Sequence, residues 1–229
     1  MAESEDVSYN RDSSFKGMLR NFKSIEDSDF EVPASLKSIL RTYQKTGYRW
    51  LRTIGSYGFG GILADDMGLG KTLQIIAVLL ATKEQADQKQ VMTSIIICPA
   101  SLVFNWENEI QKFAPTLTAK AVTGSVKERE DIIEGFENYD VLITSYDLLK
   151  RDIEKYQGCA FRYEILDEAQ YIKNHTTIGA KAVKIIKAQT RYALTGTPIE
   201  NRLSELWSIF DFLMPGFLYG YEAFRNEIE

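Results

Sequence analysis

Ala64-Asp-Asp-Met-Gly-Leu-Gly-Lys-Thr72 stands between a short apolar run, Gly61–Ala64, and a longer one, Thr72–Thr82. With those flanks it reads as strand, glycine turn and helix. Gly68 and Gly70 let the backbone curl until successive N–H groups converge on one point. The N-terminal end of the helix adds its partial positive charge at the same place. Lys71 brings a mobile point charge suited to β- and γ-phosphate oxygens, and the Thr72 hydroxyl can ligate magnesium. The general pattern G-x-x-x-x-G-K-[ST] has glycine where this chain has Asp65, the position with the least chemistry. A glycine-rich turn with a chance Gly-Lys-Thr is the plain alternative, and the strand before and helix after count against it. The stretch therefore predicts a site for ATP and magnesium.

A second signal lies 96 positions beyond Lys71. Tyr163-Glu-Ile-Leu-Asp-Glu-Ala-Gln170 is an apolar strand that ends in adjacent carboxylates. In an open α/β sheet, ligands sit at the carboxyl ends of strands, which predicts that Asp167 comes close to the phosphate loop. Asp167 would hold magnesium through water, because magnesium sheds its waters reluctantly. Glu168 would orient and deprotonate an attacking water. Alone, an Asp-Glu pair after a strand is commonplace; with the loop it makes a two-part site, its expected catalytic residues being Lys71, Asp167 and Glu168.

Between and around these signals, short apolar runs alternate with amphipathic ones. Expected strands are Gly61–Ala64, Ser94–Cys98, Val141–Thr144, Tyr163–Leu166 and Arg191–Thr195. Expected helices are Ala34–Ile54, Thr72–Thr82, Ser101–Phe113, Val126–Phe136, Thr177–Ala188 and Leu203–Leu213. Nearly all-apolar strands such as SIIIC suit a parallel sheet covered on both faces. The alternation predicts a doubly wound, mainly parallel α/β domain with helices on both faces. Residues 1–31 carry eight acids against four bases and read as a polar lead-in or the end of an upstream domain, with one helix around Phe15, Met18, Leu19 and Phe22. Residues 32–229 form the expected domain.

Composition narrows the classes. No apolar run approaches the roughly 20 residues that cross a bilayer, and the acidic start MAESEDVSYN is no signal peptide. Two cysteines, Cys98 and Cys159, are too few for a disulfide framework or a zinc site, which predicts a reducing, cytoplasmic setting. The net charge of −5 argues against simple electrostatic binding of nucleic acid, whose non-specific affinity comes from Lys and Arg on phosphates. Any such contact must use a local patch or another part of a larger protein. Trp106 and Trp207 read as core on amphipathic helices. His175, the single histidine, reads as an exposed loop residue.

The motifs, taken in order, resemble those of the SWI/SNF-type ATPases, helicase-like DNA translocases of superfamily two, from about Val32 to Phe224. Ser38-Ile-Leu-Arg-Thr-Tyr-Gln44 with Gly47 and Trp50-Leu51 resembles the adenine-holding segment, in which Gln44 would read the adenine edge. Gly61–Thr72 resembles the phosphate loop, whose Asp66, Met67, Gly68, Leu69, Gly70, Lys71 and Thr72 would surround ATP. Ile97–Leu102 with Trp106, and Ile143–Asp147, resemble segments that touch the nucleic-acid backbone; these imply Pro99, Ser101, Thr144 and Ser145 as DNA contacts. For Ser101, Thr144 and Ser145, helix or loop capping is the competing reading. Leu166–Asn174 resembles the magnesium and water motif. Leu194–Trp207 resembles the segment that couples hydrolysis to motion, with Gln170, Thr195, Gly196 and Thr197 as coupling residues; the Thr-Gly-Thr-Pro stretch is also a plain turn.

The resemblance implies an N-terminal RecA-like lobe of a double-stranded-DNA translocase that remodels protein–DNA complexes, with an unidentified protein target. Gln170 replaces the histidine of many relatives, a variation associated with bacterial members. Nothing after Leu213 resembles the second RecA-like lobe, which in this family supplies arginine fingers. Hydrolysis by this chain is therefore expected to be slow. A strand-separating helicase lobe and a nucleotide-binding scaffold without motor activity are the alternatives.

Overall fold

The computed structural model describes residues 28–66, 68–86, 93–197 and 203–228. The expected lead-in helix around Phe15–Phe22, and Met67 of the phosphate loop, lie outside the described residues. Six strands form one sheet in the order β1-β6-β5-β2-β4-β3. They are β1 Gly61–Leu63, β2 Ser94–Cys98, β3 Ala119–Ala121, β4 Val141–Ser145, β5 Ala160–Asp167 and β6 Lys187–Leu194. Every pairing among them is parallel, as the apolar strands predict. The helices are α1 Thr42–Ser56, α2 Lys71–Gln85, α3 Val103–Phe113, α4 Val126–Glu134, α5 Tyr146–Asp152, α6 Ile178–Ile185, α7 Leu203–Leu213 and α8 Tyr221–Ile228.

Strand alternation sends side chains to two separate cores. Ile96, Cys98, Val141 and Ile143 meet Tyr48 and Leu51 of α1, Ile75–Ala81 of α2, and Val103, Trp106 and Ile110 of α3. Ile95, Ile97, Leu142 and Leu166 face the other way, onto Leu149 of α5, Ala180 and Val183 of α6, and Ile209 and Phe212 of α7. Each fully buried isoleucine contributes roughly 1.5–3 kcal/mol, so the SIIIC strand anchors both faces at once. Helix α2 is buried through Gln74–Ala81 because α1 and α3 pack against it. That explains its nearly uniform apolar run.

Several boundaries differ from the sequence expectation for identifiable reasons. The expected helix Ala34–Ile54 is a 3₁₀ turn at Ala34–Leu36 and a separate α1. Arg41 is extended, and its N–H donates to Gln44 Oε1 (2.9 Å), so the helix starts afresh there. The expected helix Thr177–Ala188 ends at Ile185. Lys187 and Ala188 instead pair with Ala160 and Phe161, a tertiary pairing that overrides the helical pattern. Strand β3 has only the sequence Ala-Lys-Ala and exists because β4 pairs with it. Glu164 sits inside the apolar β5, fully buried, bound to its cross-strand partner Arg191 (3.0 Å). Burial pushes its carboxyl well above the ordinary range, with the Arg191 guanidinium opposing.

Register places the site. Leu63, Leu194 and Asp167 lie side by side at the carboxyl ends of β1, β6 and β5. The phosphate loop, Thr195 and the carboxylate pair therefore leave the sheet from one row.

Candidate active site

The loop after β1 is held from both sides. Gln44 Nε2 and the Tyr43 hydroxyl both donate to the Leu69 carbonyl, at 3.0 and 2.9 Å. Gly70 has φ 73°, and a Cβ there would stand 2.4 Å from Gln44 Nε2. Only glycine satisfies both the left-handed backbone and that approach. Asp65, the departure from the general pattern, accepts from Gln74 Nε2 at 2.8 Å. The substitution thus ties the loop to α2. Lys71 Nζ donates to the carbonyls of Asp65 (2.6 Å) and Asp66 (3.1 Å).

A cleft of about 480 Å³ opens beside this loop. Its walls include Gly68, Gly70, Lys71 and Thr72 on one side, with Asp167 and Glu168 from the end of β5. Helix α3 supplies Asn105, Glu109 and Phe113, spaced four apart so that one face looks into the cleft. The sequence thus brings Lys71, Thr72, Asp167 and Glu168 together as expected from strand-end logic.

Asp167 is nearly buried and fully tied down. Its Oδ2 accepts from the Trp106 indole N–H (2.9 Å), its Oδ1 from the Glu168 N–H (3.0 Å), and its carbonyl from the Tyr146 hydroxyl (2.9 Å). Burial raises the Asp167 carboxyl above its usual range; the Trp106 bond opposes this, the Glu168 charge adds to it and Lys71 works against it. A divalent cation would remove that tension by favouring the ionised form. Thr72 and Asp167 are the residues that would hold magnesium, which would neutralise phosphate charge there. The glycine cradle and the oxygen donor set fit nucleotide and metal.

Glu168 has φ 53° and ψ 54°, a left-handed conformation that costs a non-glycine residue about 1–2 kcal/mol. Its carboxylate accepts from Gln170 Nε2 (2.6 Å). Gln170 Oε1 in turn accepts from the Thr195 hydroxyl (2.9 Å), and Thr195 Oγ1 accepts from the Thr197 N–H (3.1 Å). A continuous polar chain runs from the carboxylate pair to the turn after β6, with Gly196 inside that turn.

Other expected site residues land differently. Thr144 is 0% exposed, which removes its hydroxyl from any phosphate-contacting surface. Ser145 is buried and its hydroxyl caps α5 by accepting from the Leu148 N–H (3.2 Å), the plainer of its two readings. Ser101 is exposed in a 3₁₀ turn and Pro99 is half-buried beside it. Trp106, read as core and drawn into the nucleic-acid segment by resemblance, is buried against Asp167. His175 is no free loop residue: its ring packs on Tyr221 (4.2 Å between centroids) and on the edge of Trp207 (5.3 Å). Gln74 and Tyr146 are missed by the sequence reading. Gln74 carried a usable signal, a polar residue within a buried apolar run that must find a partner.

A lysine and a carboxylate pair facing each other over a glycine cradle, on one edge of a parallel sheet, make this a P-loop nucleotide-binding lobe. The model of the SNF2-related domain matches residues 43–229, and the chain belongs to that helicase-like family. An uncharacterized ATP-dependent helicase of Mycoplasma genitalium is 46% identical over 190 residues, 83% of this chain and 18% of the relative. The TATA-binding protein-associated factor MOT1 of Saccharomyces cerevisiae is 42% identical over 206 residues, 86% of this chain and 11% of the relative. Among solved structures, the Sulfolobus solfataricus SWI2/SNF2 ATPase core in complex with double-stranded DNA is similar with a TM-score of 0.77 and 44% identity. That match covers 86% of this chain and 41% of the other. The chain therefore spans less than a fifth of the length of these two curated relatives. No described helix is long and apolar enough to cross a membrane.

Proposed function

We propose that this chain is the first motor lobe of a DNA-stimulated ATPase that binds ATP with magnesium, moves along double-stranded DNA and remodels protein–DNA complexes. The observation that carries the proposal is the polar chain Glu168–Gln170–Thr195–Thr197, which links the hydrolytic carboxylate to a second strand end. A scaffold that merely holds nucleotide has no use for such a link.

In this reading Lys71 leaves the loop carbonyls for β- and γ-phosphate oxygens, and the backbone N–H groups of Gly68 and Gly70 in the cleft wall join the cradle. Gln44 spends one N–H and one lone pair on the loop and helix start, which leaves one of each for the adenine edge. Glu168 orients the attacking water and takes its proton, while Asp167 stays ionised beside the metal. Gln170, Thr195, Gly196 and Thr197 carry the change outward. Backbone contacts to DNA fall to the Pro99–Ser101 turn, where Ala100 and Ser101 are exposed.

The greater length of the relatives supports a second RecA-like lobe outside these residues, supplying an arginine finger worth about 10³–10⁵ in turnover. The test compares ATP turnover by this chain and by the full-length gene product, each with and without double-stranded DNA. The expected result is turnover below about 1 s⁻¹ for this chain and marked DNA stimulation for the longer protein. Equal, DNA-independent rates in both would contradict the motor. Strand displacement without duplex-stimulated movement would instead favour a strand-separating helicase.

A further inference from the structure

Glu168 is flanked by two peptide groups, one held by the Tyr146 side chain and the other by the Tyr171 main chain at the start of a 3₁₀ turn. On its N-terminal side the Asp167 carbonyl accepts from the Tyr146 hydroxyl (2.9 Å). On its C-terminal side the Glu168 carbonyl accepts from the Tyr171 backbone N–H (3.0 Å). The two tyrosine rings are stacked on each other, with centroids 5.1 Å apart and planes within 4°. Tyr146 is buried at the start of α5, directly after β4; Tyr171 is 58% exposed. The left-handed backbone of Glu168 therefore sits inside a closed clamp made of two hydrogen bonds and one ring stack.

A non-glycine residue keeps such a backbone only where its surroundings over-determine it. The glutamate has no Cβ-free alternative, and β5 by itself would let the chain run on in the right-handed or extended regions. The hydrogen bond from Gln170 acts on the side chain and leaves the backbone free. The clamp acts on the backbone.

We propose that Tyr146 and Tyr171 are positioning residues for hydrolysis: their stack locks the peptide on either side of Glu168 and so aims its carboxylate into the nucleotide cleft. This rests on the hydrolytic role proposed above for Glu168. It adds a route by which events at the surface reach the site, because Tyr171 presents its outer face to solvent while its N–H holds Glu168. Tyr146, buried directly after β4, completes that route through its bond to the Asp167 carbonyl.

The test is a set of variants of this chain measured in three ways: fluorescent-ATP affinity with magnesium, single-turnover hydrolysis of radiolabelled ATP by excess protein, and backbone hydrogen exchange over residues 163–172. Tyr146→Phe keeps the stack and loses the hydroxyl. It is expected to leave affinity within about twofold and to slow hydrolysis by about 10- to 100-fold, the size of effect that misplacing a catalytic group produces. Exchange at the Glu168 and Tyr171 amides should rise. Tyr171→Ala should behave alike, and Tyr171→Phe, which restores the ring, should match the wild type. In a Glu168→Gln background, Tyr146→Phe should slow residual hydrolysis no further, because its effect passes through Glu168. An equal slowing in both backgrounds, or wild-type hydrolysis in both Tyr146→Phe and Tyr171→Ala, overturns the proposal. Wild-type hydrolysis no faster than that of Lys71→Ala overturns the underlying hydrolytic reading, and the positioning role falls with it. Should Tyr146→Phe fold poorly by thermal melt, the exposed Tyr171 pair decides the outcome.

Discussion

Replacing Trp106 by Phe keeps an aromatic ring in the core and removes one N–H donor, leaving Asp167 Oδ2 without its 2.9 Å partner. An unsatisfied buried acceptor costs about 1–3 kcal/mol. Urea unfolding should therefore show W106F destabilised by that amount, and a variant as stable as wild type would mean the bond is not formed in solution. Gly47→Ala should push the end of the Gln74 side chain aside, since its Cβ would fall 1.9 Å from Gln74 Oε1. Moving Gln74 frees Asp65, so fluorescent-ATP affinity should weaken, and unchanged affinity would mean that this tie does not hold the loop. At this scale the grouping of the residues proposed for phosphate chemistry was legible, because type and spacing already set Gly68, Gly70, Lys71 and Thr72 in one loop, and that loop lines the cleft. Trp106 was legible as core yet not as the donor that holds Asp167: that contact joins α3 to β5 across 61 positions, and no local pattern encodes it. His175 was misjudged for the same reason, its partners Trp207 and Tyr221 being far along the chain.

Helix α2 is pinned at its far end by Lys83, which pairs with Asp140 (2.7 Å) just before β4. Asp140 also accepts from the Thr118 N–H (2.6 Å) and hydroxyl (2.8 Å), so one carboxylate joins α2, the approach to β3 and the start of β4. Burial works against its ionisation, but Lys83 and Thr118 prevail and hold its carboxyl below the ordinary value. The sign follows from linkage. The folded pKa lies below the unfolded one, so this contribution is complete above the unfolded value, about 3.9. It is lost as pH falls from there through the folded value. In thermal melts between pH 6 and pH 3, the wild type should lose more stability than Asp140→Asn, and parallel curves would contradict the assignment. At the scale of elements, runs such as Ile95–Ile97 declared themselves because both sheet faces are covered. Strand β3 and helix α5 did not: the first exists by pairing with β4, and the second is started by the Ser145 cap within a stretch to which the sequence reading assigned no element. The end of α6 was misplaced because pairing with β5 takes over at Lys187.

The whole molecule carries a net charge of −5. A lobe so charged should bind double-stranded DNA no tighter than about 1 µM at physiological salt. Fluorescence anisotropy tests this, and nanomolar binding by this chain would contradict it. The architecture was readable as a whole because α/β alternation, strand-end carboxylates and the phosphate loop all point to one sheet edge. The strand order was not, since no local signal says that β6 and β5 enter between β1 and β2. That insertion is what sets Leu63, Leu194 and Asp167 in one row and makes a single site from segments 96 positions apart. The most direct test of that site is titration of fluorescent ATP with magnesium into the wild-type chain and Lys71→Ala. Saturable binding by the wild type that is lost in the variant is the predicted result; equal binding by both, or binding by neither, would contradict an ATP site at this sheet edge.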